Sequence, residues 1–135
     1  MDTLIKLDLL SRRPIYEQLK SKISELVLLG ELKPGDALPA VRSFARDLGV
    51  NPNTVQKAYQ ELERENIIYS VVGRGTYISR SDKLADQLRE QQVQRVKSAV
   101  LLAKNSSVTK ERIISAVDEV FSGKNHAEGE SQADD

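Results

Sequence analysis

The sequence contains no cysteine and only one histidine. Without cysteine, disulfide bonds, thiolate nucleophiles and sulfur-ligated metal sites are excluded, and a reducing compartment is the expected location. The histidine, His126, lies in a polar stretch after Gly123. A serine–histidine pair or a histidine-ligated metal site therefore cannot be assembled around it in one rigid pocket. We expect no catalysis, no metal and no cofactor.

Long apolar runs are also missing. No segment approaches the length of a membrane-spanning helix, and residues 1–6 lack the basic region followed by an apolar stretch that marks a secretory signal. We therefore expect a cytoplasmic protein with no membrane partner. With 135 residues, of which 39% are hydrophobic, the chain can bury one small core and carry an appendage, but a second large catalytic domain would not fit.

The chain has no net charge, because 20 basic residues balance 20 acidic ones. The acidic surplus lies in residues 123–135, with one basic and four acidic groups, whereas residues 80–122 carry eight basic and six acidic groups. Between residues 42 and 57 the basic residues Arg42, Arg46 and Lys57 face a single acidic one, Asp47. This segment can present a positive face, although the total charge predicts only a shallow salt dependence for binding to a polyanion.

The amino-terminal part is predicted to hold one helix. The weak alternation of Ile5, Leu7 and Leu9 predicts either a short strand or an arm that lies over the core. A helix is expected between Pro14 and Gly30, because apolar residues recur there at three- and four-residue spacing. These residues are Ile15, Leu19, Ile23, Leu26 and Val27.

Residues 45–55 follow the pattern of a helix-turn-helix. The small Ala45 lets two helices cross closely, Gly49 provides the left-handed backbone of a tight turn, and Val55 packs the second helix on the first. Asn51 and Pro52 form a helix start, because Asn caps free amide groups and Pro suits the first helical position. The helix before the turn is expected to bury Val41, Phe44, Ala45 and Leu48.

The helix that starts at Pro52 is predicted to have one apolar and one polar face. Its inward residues are Val55, Ala58, Tyr59 and Leu62. Its outward residues are Asn53, Thr54, Gln56, Lys57 and Gln60. Asn53 suits recognition of adenine, Thr54 can donate to a phosphate, and Lys57 is aimed at the groove. Arg42 in the preceding helix is expected to contact a phosphate or a base edge.

Residues 67–78 are predicted to form a two-stranded wing. Branched and aromatic residues at 67–72 favour a strand, Gly73-Arg74-Gly75 turns the chain, and residues 76–78 return. Arg74 at the tip suits insertion into a minor groove. The two glycines do not form a nucleotide-binding fingerprint, because a third glycine is missing and no helix follows.

Two amphipathic helices are predicted after the wing, from about residue 82 to 104 and from Thr109 to Gly123. They are expected to have no place in the first core, so that each chain packs them against a second copy. The candidate dimerisation residues are Leu84, Leu88, Val96, Val100, Ile113, Val117, Val120 and Phe121. The predicted division is thus 1–79, 80–122 and a disordered acidic tail at 123–135.

These motifs together resemble a known family. The matching residues are Pro14-Ile15-Tyr16, Leu38-Pro39, Arg42, Gly49-Val50, Thr54-Val55, Ala58-Tyr59, Leu62 and Gly73-Arg74-Gly75-Thr76-Tyr77-Ile78. Residues 14–78 resemble the winged-helix DNA-binding domain of the GntR family of bacterial transcription regulators. The Asn51–Tyr59 run and the two-helix ending are similar to its YtrA-type branch, which lacks a large effector-binding domain. The resemblance implies a homodimeric repressor on a palindromic operator, often of genes for ABC-class transporters.

The sequence therefore predicts a mainly α chain with a small β-hairpin wing: a winged helix-turn-helix followed by a two-helix dimerisation unit. Its expected function is sequence-specific regulation of transcription on double-stranded DNA. The candidate DNA-binding residues are Arg42, Asn51, Asn53, Thr54, Gln56, Lys57, Gly73, Arg74 and Gly75. A winged-helix module that binds protein instead of DNA is an alternative, and it would explain the zero net charge. Two further alternatives are the regulatory fragment of an aminotransferase-like fusion and a dimer that binds an unidentified effector.

Overall fold

A computed structural model of the chain describes residues 5–123. Within this range the elements are α1 (Ile15–Leu28), β1 (Ala37–Leu38), α2 (Val41–Leu48), α3 (Pro52–Arg64), β2 (Ile68–Val71), β3 (Gly75–Ile78), α4 (Leu84–Asn105) and α5 (Lys110–Phe121). The predicted mainly helical fold with a small β wing is confirmed. The chain divides after Glu90 into two compact units, so that the first unit extends beyond the predicted boundary at residue 79. His126 and the predicted tail after Gly123 lie outside the described residues.

The predicted first helix is confirmed as α1. It begins after Pro14, whose φ of −56° suits a helix start, and it ends two residues before Gly30, whose φ is 80°. Leu19 and Ile23 on its inward face are fully buried. The periodic apolar residues thus build one wall of the core.

Residues 5–13 form an arm rather than a strand. Ile5 is buried in the core, and Leu7 packs partly against it. The side chain of Gln18 on α1 holds the arm by three hydrogen bonds, one of which runs from its Nε2 to the backbone carbonyl of Arg13 (3.1 Å). Its Oε1 accepts from the backbone N–H of Asp8 (2.8 Å), and its Nε2 donates to the backbone carbonyl of Asp8 (2.9 Å).

The predicted helix-turn-helix is confirmed by α2 and α3. Gly49 has a φ of 73° and a ψ of 33°, the left-handed conformation that costs glycine little. The backbone N–H of Val50 donates to the carbonyl of Ala45 (3.0 Å), which closes the end of α2. Ala45 and Val55 are buried at the contact between the two helices, as their sizes predict.

The wing contains a third strand that the sequence pattern does not predict. The sheet order is β1-β3-β2, and both pairs are antiparallel. Val71 faces Gly75 across the turn, whereas Leu38 of β1 pairs with Thr76 on the other edge of β3. Since β1 has only two residues, its side chains are too few to show an alternating pattern.

The core of the first unit includes the beginning of α4. Leu84 and Leu88 are 3% and 1% exposed, and they belong to the same buried cluster as Phe44. The prediction that they have no place in the first core and serve dimerisation is therefore wrong. The other buried apolar residues are Ile5, Leu19, Ile23, Leu26, Leu32, Leu38, Ala45, Val55, Ala58, Tyr59, Leu62, Ile67, Ile68 and Ile78.

The second unit contains the rest of α4 and all of α5. Thr109 caps α5, because its Oγ1 accepts from the backbone N–H of Arg112 (3.1 Å). Ile113 is half-buried. The large apolar residues that remain exposed are Val93, Val96, Val100, Leu101, Leu102, Val108, Ile114, Val117, Val120 and Phe121. Across residues 5–123, each helix is too short or too polar to cross a membrane.

Candidate nucleic-acid interface

The two faces of α3 differ in character as predicted. Val55, Ala58, Tyr59 and Leu62 are buried. On the other side, Asn53, Gln56, Lys57 and Gln60 are exposed and Thr54 is half-buried. Because the core fixes the inward face of α3, it also fixes which side of the helix faces outward. The polar side chains on that side form a surface row, which we call the polar row.

Capping shapes the start of α3. The Oδ1 atom of Asn51 accepts a hydrogen bond from the backbone N–H of Asn53 (2.8 Å), and Pro52 is the first helical residue. Asn51 thus has a structural role, and its side-chain N–H₂ group is the part that can meet a ligand. The side chains of Asn53 and Thr54 lie in the first turn, where a helix N-terminus attracts phosphate.

The Lys57 ammonium lies over an aromatic ring of α1. Its Nζ is 4.0 Å from the centre of the Tyr16 ring, within the range of a cation–π contact. The Tyr16 hydroxyl donates to Glu17 (3.3 Å), and the ring packs partly against the core. Lys57 is still exposed, so that its charge can be reached from solvent.

One lysine pairs with a carboxylate of α3 and with that of the residue directly after the helix. The Nζ of Lys20 lies 2.9 Å from Glu61 and 2.7 Å from Glu65. The hydrogen bond from Lys20 lowers the pKa of Glu61 below its usual value. Partial burial lowers the pKa of Lys20, but the hydrogen bonds and charges of Glu65 and Glu61 together outweigh it and raise that pKa. The positive charge of Lys20 thus offsets part of the negative charge at this end of α3.

Sequence reasoning missed these contacts of Tyr16 and Lys20. Glu61 and Glu65 are one turn apart and share Lys20 as a partner. The spacing in the sequence places these residues on one face of each helix but does not identify their partners. Tyr16 and Lys20 are four residues apart on α1, and Lys57, Glu61 and Glu65 repeat that spacing along α3 and the residue directly after it.

Two exposed arginines lie one turn apart on α2. The side chains of Arg42 and Arg46 form no hydrogen bond or ion pair with any of the residues that the structure describes. Their guanidinium groups are therefore available to an external anion, and each offers several N–H donors in a planar fork. Their spacing puts both on one side of the short helix.

The tip of the wing is exposed and tightly turned. Gly73 and Gly75 have φ values of 77° and 127°. The backbone N–H of Arg74 donates to the carbonyl of Val71 (2.9 Å), and its carbonyl accepts from the Tyr77 hydroxyl (3.0 Å). The backbone at Arg74 is thus fixed, while its side chain is exposed.

All nine candidate DNA-binding residues lie in the first compact unit, and eight of them are exposed, with Thr54 half-buried. Within residues 5–123 there is no group of His, Asp or Glu side chains that could hold a metal ion. The arrangement offers hydrogen-bond donors, amide groups and cations on rigid supports, which is chemistry suited to binding a polyanion.

Comparison with known proteins gives the family. The pattern described as "Bacterial regulatory proteins, gntR family" matches residues 15–78. The chain is 55% identical over 80 residues to the HTH-type transcriptional repressor YtrA of Bacillus subtilis (strain 168), which covers 59% of this chain and 62% of YtrA. It is 36% identical over 108 residues to YhcF, an uncharacterized HTH-type transcriptional regulator of the same strain, with 79% of this chain and 89% of YhcF covered.

A solved structure extends the similarity beyond the winged helix. A GntR family transcriptional regulator from Listeria monocytogenes is similar with a TM-score of 0.69 and 34% identity, over 81% of this chain and 96% of that one. The match to YtrA, by contrast, spans less than two thirds of that protein's length. With the matching winged helix at residues 15–78 and this similarity over most of its length, the chain belongs to the GntR family of bacterial regulatory proteins.

Proposed function

We propose that the chain is a homodimeric transcriptional repressor of the cytoplasm that binds a palindromic operator. It acts by binding DNA rather than by catalysis, and the operator controls a transporter-type operon. The observation that carries the proposal is the polar row on α3, whose residues Asn53, Gln56 and Lys57 are exposed on a helix held in register by a buried face. The relatives that match are themselves named as transcriptional regulators.

In this proposal α3 enters the major groove. Asn53 reads a base edge, Thr54 donates to a phosphate, and Lys57 lies at the edge of the groove. Arg42 on α2 binds the backbone beside the groove, because its guanidinium is exposed and has no partner among the described residues. The cap at Asn51 fixes the start of α3 against the duplex.

The wing contacts the flanking DNA. Arg74 lies between two glycines at the tip of a hairpin, so that a narrow loop presents one cation. A minor groove of high negative potential attracts such a guanidinium. Gly73 and Gly75 have no side chain that would keep the backbone away from the phosphates.

The dimer is proposed to form through α5 and the part of α4 after Glu90. Exposed Val93, Val96 and Val100 follow helical spacing on α4, and Val117 and Val120 do so on α5. Contiguous exposed apolar surface of this kind is typical of an interaction site, and a second copy of the chain is the simplest partner that covers both helices. Two winged helices related by twofold symmetry then require a palindromic operator.

Selection of duplexes tests the proposal. Purified protein is incubated with a pool of random double-stranded DNA at low ionic strength, and the bound molecules are amplified, sequenced and measured by mobility shift. We expect enrichment of a palindrome with half-sites about one or two helical turns apart. Enrichment of a single half-site without symmetry would contradict the dimer, and no enrichment would favour the alternative of a protein-binding module.

A further inference from the structure

Side chains of α1 and α3 meet along one edge of the polar row, and we call this set the α1–α3 seam. It consists of Tyr16 and Lys20 on α1, of Lys57 and Glu61 on α3, and of Glu65, the residue directly after α3. Lys57 lies over the Tyr16 ring at 4.0 Å, and Lys20 contacts both carboxylates at 2.9 and 2.7 Å. Tyr16 thus contacts a cation across the seam, and Lys20 contacts two anions.

Two groups of the seam compete for the Lys57 ammonium: the Glu61 carboxylate and the Tyr16 ring. On an isolated helix, a lysine four residues before a glutamate pairs with it, so that Glu61 would draw the Lys57 ammonium along α3. In this structure the Oε1 of Glu61 accepts a hydrogen bond from Lys20, and Lys57 acts on this carboxylate through its charge. The negative face of the Tyr16 ring attracts the ammonium toward α1.

The ring is a fixed support, whereas a lysine side chain alone is flexible. Tyr16 is half-buried and packs against the core of the first unit. A phosphate oxygen can approach the exposed side of the ammonium while the other side stays over the ring, since an ammonium has several N–H donors. The contact therefore orders the lysine before DNA arrives and reduces the conformational freedom lost on binding.

We propose that Tyr16 is a positioning residue that holds Lys57 for a phosphate of the DNA backbone rather than for a base edge. This inference rests on the proposed function. It assigns Lys57 a contact that does not depend on the base sequence. It also assigns Lys20 a role, because the hydrogen bond from Lys20 to the Oε1 of Glu61 weakens the attraction of that carboxylate for Lys57.

A double-mutant cycle tests the inference with the best duplex selected by the wild-type protein. The variants are Tyr16→Leu, Lys57→Ala and both together, with Tyr16→Phe as the conservative control that keeps the ring. Tyr16→Leu is expected to weaken binding about threefold to fivefold, in line with an exposed cation–π contact, and Tyr16→Phe to bind as the wild type does. In the Lys57→Ala background, Tyr16→Leu should change nothing further.

The salt dependence separates a phosphate contact from a base contact. Lys57→Ala should lower the slope of log affinity against log salt by about one and weaken all duplexes alike. If Tyr16→Leu weakened DNA binding equally with and without Lys57, the positioning role would be overturned, because the substitution would then act through the fold. An unchanged slope in Lys57→Ala would overturn the phosphate contact. A wild-type protein that binds no duplex would overturn the proposed function as well.

A measurement on the wild-type protein keeps the inference testable if Tyr16→Leu does not fold. The ring should shift the side-chain proton resonances of Lys57 next to the ammonium upfield relative to those of the other lysines in an NMR spectrum. The Lys57→Arg variant assigns the signal, and Tyr16→Phe should retain the shift. Lys57 resonances at the positions of ordinary exposed lysines would overturn the inference.

Discussion

Lys20 forms two ion pairs, one with Glu61 and one with Glu65. The energy of these ion pairs depends on pH. The pKa of Glu61 is lowered from its usual 4.5, so its contribution to stability is present above that value and is lost as pH falls through the folded-state pKa. The pKa of Lys20 is raised from 10.5, so its contribution is present below that value and is lost as pH rises through the folded-state pKa.

A Lys20→Met variant should accordingly unfold at a lower temperature than the wild type at neutral pH. The difference in melting temperature should be largest between the two usual pKa values and shrink in acid, where Glu61 is protonated. Calorimetry across pH measures it. The matched control is Lys22→Met, since Lys22 forms only an exposed i,i+3 pair with Glu25. A difference that stays constant down to acid pH would contradict the ion-pair account.

The sequence predicts the contacts of some residues better than those of others. The left-handed turn at Gly49 and the cap at Asn51 follow local rules that involve only near neighbours. The Tyr16–Lys57 and Lys20–Glu61 contacts join residues of two helices that are far apart in the sequence. Only the packing of α1 on α3 brings them together, so their partners could not be read from spacing within one helix.

Among the elements, α3 is one that starts at a side-chain cap, Asn51. Asn51→Ala removes the hydrogen bond from Oδ1 to the Asn53 N–H and should lower the free energy of unfolding by about 1 kcal/mol. Urea titration without DNA measures the loss. Asn51→Ser keeps a capping oxygen and serves as the control. Equal stability of the Ala and Ser variants would mean that the cap adds nothing.

The first turns of α4 stabilise the winged helix. Leu88→Ala should lower the free energy of unfolding by about 2–5 kcal/mol, because Leu88 is 1% exposed and its removal leaves a cavity. Leu10→Ala is the same change at a residue that is 96% exposed, and it should stay within about 0.5 kcal/mol of the wild type. A loss at Leu88 no greater than at Leu10 would contradict the observed packing.

The helices could be predicted because each has enough turns for an apolar period to show. Two features could not be predicted from the sequence, for physical reasons. β1 has two residues and is formed by pairing with β3, not by its own pattern. α4 is a single helix, yet Leu84 and Leu88 are buried in the first core while Val96 and Val100 are exposed. A sequence pattern shows that a residue is apolar but does not identify its partner.

For the whole molecule, binding is proposed to need two copies of the chain. Val117→Asp places a charge on the apolar stripe of α5 and should yield monomers in analytical ultracentrifugation. Affinity for the full palindrome should then fall by about 10²–10⁴, since the second half-site no longer adds to the first. Ser115→Asp adds the same charge at an exposed polar position of α5 and should remain dimeric. A Val117→Asp protein that stays dimeric would assign these helices another role.

The central claim is that the exposed polar face of α3, with Arg42 of α2, binds duplex DNA. Its most direct test is fluorescence anisotropy with the selected palindrome, comparing the wild type with an Arg42→Ala, Lys57→Ala double variant. The control is Lys22→Ala, which removes an exposed charge from the side of α1 away from Lys20. We expect the double variant to fold, to remain dimeric and to bind about 1–3 kcal/mol more weakly, while the control binds as the wild type does. Unchanged affinity in the double variant, or an equal loss in the control, would contradict the claim.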